Sequence, residues 1–252
     1  MTTPQLTILT GASRGMGLAM ATQLLTPGNT LLCISRQVNA QLAEHAQALG
    51  VHLLQWTEDL TQGQAVSQRL EAWLRSQNGT DFSSAHLINN AGVIPPIAPL
   101  SLSDPADLAH ALRVGLEAPM LLCAVFLRAT GQWPGTRKIL NISSGLGRRA
   151  MASQAAYCAA KAGMDHFTRC LALDEALKPR GAKVCSLAPG VIDTEMQLQL
   201  RSADDALFPD RSGFAGLHQG GQLTSTDDAA RRVLAYLARA EFGQNPVADV
   251  RE

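Results

Sequence analysis

Short apolar runs alternate along the chain with longer stretches in which apolar positions recur at helical spacing. Residues 6–10, 30–35, 51–56, 85–89, 138–142 and 183–188 read as buried strands, with a weaker seventh near 247–250. The longer stretches, 15–25, 41–49, 62–75, 105–129, 153–177 and 226–239, read as helices. Turn residues separate them, at Pro27-Gly28-Asn29, Asn78-Gly79, Pro95-Pro96, Pro134-Gly135 and Pro179-Arg180-Gly181. Strand and helix in alternation predict an α/β fold: a doubly wound parallel sheet with helices on both faces. Pro119 lies inside the fourth helix and predicts a kink or local irregularity there.

No repeat or linker interrupts this plan, so residues 1–252 read as a single domain, large enough to bury a core without disulfides. One stretch departs from the alternation. Residues 195–222 are rich in Gly, Asp and Gln, with isolated Phe208 and Phe214, and read as a long irregular insert. Its position after the sixth strand predicts a lid over a substrate.

Composition narrows the function. A hydrophobic share of 46% and a charged share of 17% fit a globular enzyme. The net charge is zero and the basic residues are scattered, so neither nucleic acid nor an anionic membrane is an expected partner. The five cysteines, Cys33, Cys123, Cys158, Cys170 and Cys185, form no Cys-x-x-Cys pair and no zinc-ligand spacing. They read as reduced, buried thiols of a cytoplasmic protein, and no metal site is expected. Gly11, Gly15 and Gly17 break up any leader-like apolar run. The longest apolar stretch, 118–127, is about half a membrane span and is flanked by Glu117 and Arg128. A secreted or membrane-spanning chain is therefore not expected.

The first strand runs into Thr10-Gly11-Ala12-Ser13-Arg14-Gly15-Met16-Gly17. Glycines let a backbone turn sharply against a pyrophosphate, and the following helix offers free N–H donors and a partial positive charge. A tight connection would use the same residues, so the turn alone does not decide between them. The second strand ends Ile34-Ser35-Arg36, with no acid to take a ribose 2′-hydroxyl. Arg36 and Arg14 together would make a cationic fork for a 2′-phosphate, which favours NADP(H); two solvated arginines would look alike in sequence.

Tyr157 and Lys161 lie four apart in a helical stretch and so share one face. An ammonium beside a phenol stabilises the phenolate, each pKa unit being worth about 1.4 kcal/mol, and equips Tyr157 as general acid to a carbonyl oxygen. Ser144, thirteen residues upstream at a strand end, would hydrogen-bond the same oxygen.

These features, with Asn89-Asn90-Ala91-Gly92 and Pro189-Gly190-Val191-Ile192-Asp193-Thr194, resemble the short-chain dehydrogenase/reductase family over nearly the whole chain. The resemblance implies a Rossmann-like fold and a small-molecule carbonyl substrate. It implies Asp59 and Leu60 at the adenine, Asn90, Ala91 and Gly92 around the cofactor pocket, and Pro189, Gly190, Ile192 and Thr194 at the nicotinamide end. A homodimer or homotetramer through helices containing residues 108–128 and 153–177 is also implied. Within the family the C-terminal third is similar to sepiapterin reductases and the related benzil reductases. That likeness implies reduction of a pterin side-chain carbonyl, or of a diketone to a chiral hydroxy-ketone. It also puts Asp249 where a carboxylate would hold the donor-rich edge of a pterin, a position equally open to a solvated tail acid. One position departs from the family pattern: Gly115 stands where an asparagine often supports a proton-relay water. A non-catalytic NADPH-binding regulator would need the turn but not Ser144, Tyr157 and Lys161 together.

Overall fold

The computed structural model describes residues 4–252. Among them, β1 (Gln5–Thr10), β2 (Thr30–Ser35), β3 (His52–Thr57), β4 (Ser84–Asn89), β5 (Thr136–Ile142), β6 (Lys183–Ala188) and β7 (Val247–Asp249) form one sheet. The strands are all parallel, in the order β3-β2-β1-β4-β5-β6-β7. The apolar runs are continuous because both faces of the sheet are covered. Leu6, Ile8, Leu32, Ile34 and Ile139 point into one core layer, closed by α3 (Gly63–Arg75), α5 (Ala118–Thr130) and α6 (Ala155–Ala176). Leu9, Leu31, Cys33, Ile88 and Leu140 point into the other, closed by α1 (Gly15–Gln23), α2 (Ala40–Ala48) and α9 (Thr226–Ala238). Each such side chain contributes about 1.5–3 kcal/mol of burial, so a strand slipped by one residue exchanges the two layers.

The fourth expected helix is divided. α4 (Pro105–Leu112) passes through a π-helical turn at Arg113–Glu117 into α5, with Pro119 in the first turn of α5. Proline has no N–H to donate and its ring crowds the carbonyl four residues back, that of Gly115, so the preceding turn widens. By length and mean hydropathy Pro105–Thr130 passes as a membrane span, but half of its most apolar part is buried, and the stretch packs against α3 and α6.

Residues 195–222 are not irregular throughout. They carry α7 (Glu195–Arg201) and α8 (Arg211–Gln219), joined by a turn segment in which Phe208 is fully buried and stacked on Phe214 at 5.7 Å between ring centroids. The two aromatics that looked isolated in sequence are what organises the insert. Its base is pinned by Asp193 N–H donating to Thr224 O (2.9 Å) and Thr224 N–H to Val191 O (2.9 Å). Ser153 holds φ at 60° just before α6, and its hydroxyl donates to Leu207 O, tying insert to helix. The cysteines are all free, but only Cys33, Cys123 and Cys185 are buried; Cys158 is half-buried and Cys170 exposed. Their apolar sequence neighbours could not reveal which way each side chain turned.

Candidate active site

The strand order reverses between β1 and β4, and a cleft of about 1090 Å³ opens there, beyond the carboxyl ends of the strands. Gly11, Ser13, Arg14, Gly15, Met16 and Gly17 line one end. Gly11 takes φ +70°, and a Cβ on Gly17 would sit 2.0 Å from the Gly11 carbonyl oxygen, so this close turn requires glycine at both places. Asn90, just after β4, braces the turn: its side-chain amide donates to Thr10 O (3.0 Å) and Gly11 O (3.2 Å). Thr10 Oγ1 in turn accepts from the backbone N–H of Asn90 and of Ala91. α1 begins with no side-chain cap and no acid in its first turn, leaving its N–H groups and positive end open to an anion. A pyrophosphate fits such a cradle.

At the end of β2, Ser35 Oγ accepts from Ala12 N–H at 2.8 Å, binding the strand to the turn. Arg36 is exposed at the cleft margin. Arg14 does not form the expected fork with it. Its guanidinium pairs instead with Glu195 at the start of α7, a partner 181 positions away that no local pattern could indicate. Asp59 and Leu60 also line the cleft. The Asp59 carboxylate accepts from Thr61 N–H, which holds its pKa below the usual range.

Ser144 and Tyr157 line the cleft further along, and Lys161 lies beneath its surface. α6 carries the last two on one face, and a short 3₁₀ turn after β5 begins at Ser144, whose hydroxyl accepts from Leu146 N–H. The Lys161 ammonium donates to Ile142 O at 2.7 Å and stands 5.7 Å from the centre of the Tyr157 ring. Burial pulls its pKa down to about 8, partly opposed by the charge of Asp165 one turn on. Asp165 is itself fixed by the Ser186 hydroxyl (2.6 Å) and by Arg148 Nε (3.2 Å). The Tyr157 phenol departs from expectation. Burial pushes its pKa up to about 12, only partly opposed by the Ser144 hydroxyl, instead of the ammonium drawing it down. Its hydroxyl reaches Met196 Sδ at 3.8 Å. A phenol that keeps its proton, beside a serine hydroxyl, is equipped to donate to an oxygen that gains negative charge.

Asp249 is neither solvated nor free. It ends β7, buried, and its carboxylate is gripped by Arg251, with Nε to Oδ1 and Nη2 to Oδ2 both at 2.7 Å. That guanidinium holds the carboxyl pKa below its usual range. Both residues line the cleft. The fork ties the segment after β7 to the cleft margin.

The sequence profile of the short chain dehydrogenase family matches residues 5–205. The chain belongs to that family. A benzil reductase ((S)-benzoin forming) of Bacillus cereus is 34% identical over 245 residues, covering 97% of this chain and 98% of that protein. A sepiapterin reductase of Rattus norvegicus is 32% identical over 246 residues, covering 93% and 92%. The crystal structure of a short-chain dehydrogenase/reductase from Burkholderia vietnamiensis is 33% identical and superposes with a TM-score of 0.65 over 98% of this chain and 99% of that one. This short-chain dehydrogenase is an oxidoreductase with a Rossmann-like fold.

Within this short-chain dehydrogenase, Pro189, Gly190, Ile192 and Thr194 follow β6 along the cleft. Thr194 caps α7, its Oγ1 accepting from Gln197 N–H. Ala91 and Gly92 lie opposite, with a Cβ on Gly92 only 3.7 Å from the Lys161 ammonium. The candidate catalytic, cofactor and substrate residues thus meet at one cleft, Lys161 from below, whereas Gly115 and Phe208 do not line it. Sequence reasoning missed Ser143, Gln197 and Arg251, which also line it. Their spacing carries no motif; only burial or a partner marks them.

Proposed function

We propose that the chain is an NADPH-dependent carbonyl reductase acting on a ketone or 1,2-dicarbonyl compound. The observation that carries this reading is the shared cleft: the glycine turn at one end, Ser144 and Tyr157 at the other, and Lys161 below. In this reading Gly11 to Gly17 and the start of α1 hold the pyrophosphate, and Arg36 holds the 2′-phosphate. Asp59 and Leu60 hold the adenine. Asn90, Ala91, Gly92, Pro189, Gly190, Ile192 and Thr194 hold the nicotinamide end. The bound dinucleotide supplies the hydride. Tyr157 gives its proton to the carbonyl oxygen, Ser144 hydrogen-bonds that oxygen, and Lys161 keeps positive charge beneath the phenol.

Both a pterin and a diketone are substrates for relatives of this chain. The Asp249–Arg251 fork favours the diketone, because the carboxylate that would take a pterin's donor edge already accepts from three N–H groups of Arg251. The apolar lining by Leu146, Met196, Leu200 and Phe214 supports the same choice, with α7 and α8 acting as the lid. The retention of Ser144, Tyr157 and Lys161 argues against a regulator that only binds NADPH. We read the protein as a cytoplasmic homodimer or homotetramer; Leu112, Met120, Leu173 and Leu177 are exposed on or beside α4, α5 and α6 and would be covered by such contacts.

The test is NADPH consumption over a panel of diketones, monoketones and pterins, comparing wild type with Tyr157→Phe. The expected result is diketone reduction that Tyr157→Phe lowers by at least about 100-fold while NADPH still binds. Binding of NADPH by both proteins, with no turnover of any carbonyl by either, would favour the regulator.

A further inference from the structure

Gln197, in the first turn of α7, is 3% exposed and lines the cleft, yet neither its side-chain Nε2 nor its Oε1 has a hydrogen-bond partner. A buried carboxamide satisfied by nothing loses its hydration without return, and native interiors rarely keep one. Gln154 is a second such amide, but it lies outside the cleft lining, whereas Gln197 is placed where a ligand could supply the partner. Two neighbours say where that partner would lie. Met196, adjacent in sequence, contacts the Tyr157 hydroxyl at 3.8 Å, so the first turn of α7 runs past the place assigned to the reacting carbonyl, and Gln197 lines the same cleft from that turn. Ser143, next to Ser144, lines the same cleft, and its buried hydroxyl also has no partner. Two buried polar side chains of the same cleft are thus left for a ligand to satisfy.

We propose that Gln197 determines specificity by donating from its side-chain amide to the second oxygen of a vicinal dicarbonyl, whose first oxygen is held by Tyr157 and Ser144. This rests on the reductase reading and names the substrate feature that the site selects. A monoketone of equal bulk fills the same apolar lining but leaves the amide unsatisfied. Discrimination against it follows from that loss. The lid residue thus reads an atom that the acid-donating residues do not touch.

The experiment measures kcat/KM for 1,2-diphenylethane-1,2-dione and for 1,2-diphenylethanone in wild type, Gln197→Met and Gln197→Glu. Methionine keeps the length without the polar atoms, and glutamate keeps the shape without the donor. We expect the dione-to-monoketone ratio to fall about 10- to 100-fold in both variants. The NADPH dissociation constant should stay within about twofold. In the substrate-free protein, Gln197→Met should raise the unfolding midpoint by about 2–4 °C, because an uncompensated amide is removed. An unchanged ratio overturns the proposal. NADPH affinity weakening in step with the ratio assigns the amide to the cofactor instead, and a lowered midpoint for Gln197→Met assigns it to packing; either overturns it too. A wild type that reduces neither ketone overturns the reductase reading together with this one, whereas an active wild type whose ratio survives both substitutions overturns only the role of Gln197.

Discussion

Burial acts in opposite directions on the two titrating groups of the site. It pushes Tyr157 up to about 12 and pulls Lys161 down to about 8, since in each case the charged form loses its water. At neutral pH the phenol therefore holds its proton and the amine is mostly ammonium, the pair that donation to a carbonyl oxygen requires. As pH rises through about 8 the ammonium is lost while the phenol stays protonated, so kcat/KM for reduction should decline with a single apparent pKa near 8. A profile from pH 6 to 10 checks this, and whatever activity Lys161→Arg retains should lack the decline. Persistence of the decline in that variant would assign it to another group. A second residue-scale expectation concerns Arg36, left to hold the proposed 2′-phosphate by itself, since Arg14 is engaged by Glu195. Arg36→Asp should weaken NADPH about 10- to 100-fold and NADH far less, measured by fluorescence titration. Equal weakening of both would remove the 2′-phosphate role.

Between elements, the π-helical turn at Arg113–Glu117 meets α6 closely enough that residue size matters. A Cβ on Gly115 would stand 3.1 Å from Ala160 Cβ, one residue from Lys161. The asparagine that the family resemblance implies there cannot enter without moving α6. Gly115→Asn should therefore cost about 1–3 kcal/mol in chemical denaturation instead of improving a proton relay. Unchanged stability with higher activity would restore the relay role. On the sheet, His86 of β4 is in register with Lys138 of β5, and burial, then that lysine, pull its pKa from 6.5 to about 4. The unfolded chain takes up a proton below about 6.5 that the folded one refuses. The contribution of this site is thus whole above pH 6.5 and is lost as pH falls towards 4. Urea midpoints from pH 4 to 7 should drop less steeply for His86→Gln than for wild type; parallel curves would exclude His86 as the source.

Across the whole molecule, the reversal of strand order between β1 and β4 gathers residues from distant parts of the chain at one cleft. The outer surface carries a second expectation. Leu173 is 71% and Leu177 86% exposed on or beside α6, a cost in water that association would relieve. Wild type should run as a dimer or tetramer by light scattering, and Leu173→Glu with Leu177→Glu should lower that mass. A monomeric wild type would sink the shared-helix interface. Much of the site was legible before the fold was known. The glycine turn, Ser144 and the Tyr157–Lys161 pair are recognised from spacings of a few residues, and a helix or turn converts such spacings directly into geometry. The pairing of Arg14 with Glu195, the insert built on Phe208 and Phe214, and the buried Gln197 were not legible, because each depends on residues or solvent far from it in sequence.

The chain's own pattern determined the alternation of strand and helix, the covered sheet and the site's local motifs, since hydrophobic period and turn chemistry act over near neighbours. The tertiary structure decided which charges pair, which amide is left without a partner, and which way the Tyr157 and Lys161 pKa values move. Those outcomes depend on water excluded and partners supplied by distant segments, and a linear order of residues does not contain them until the chain has closed on itself.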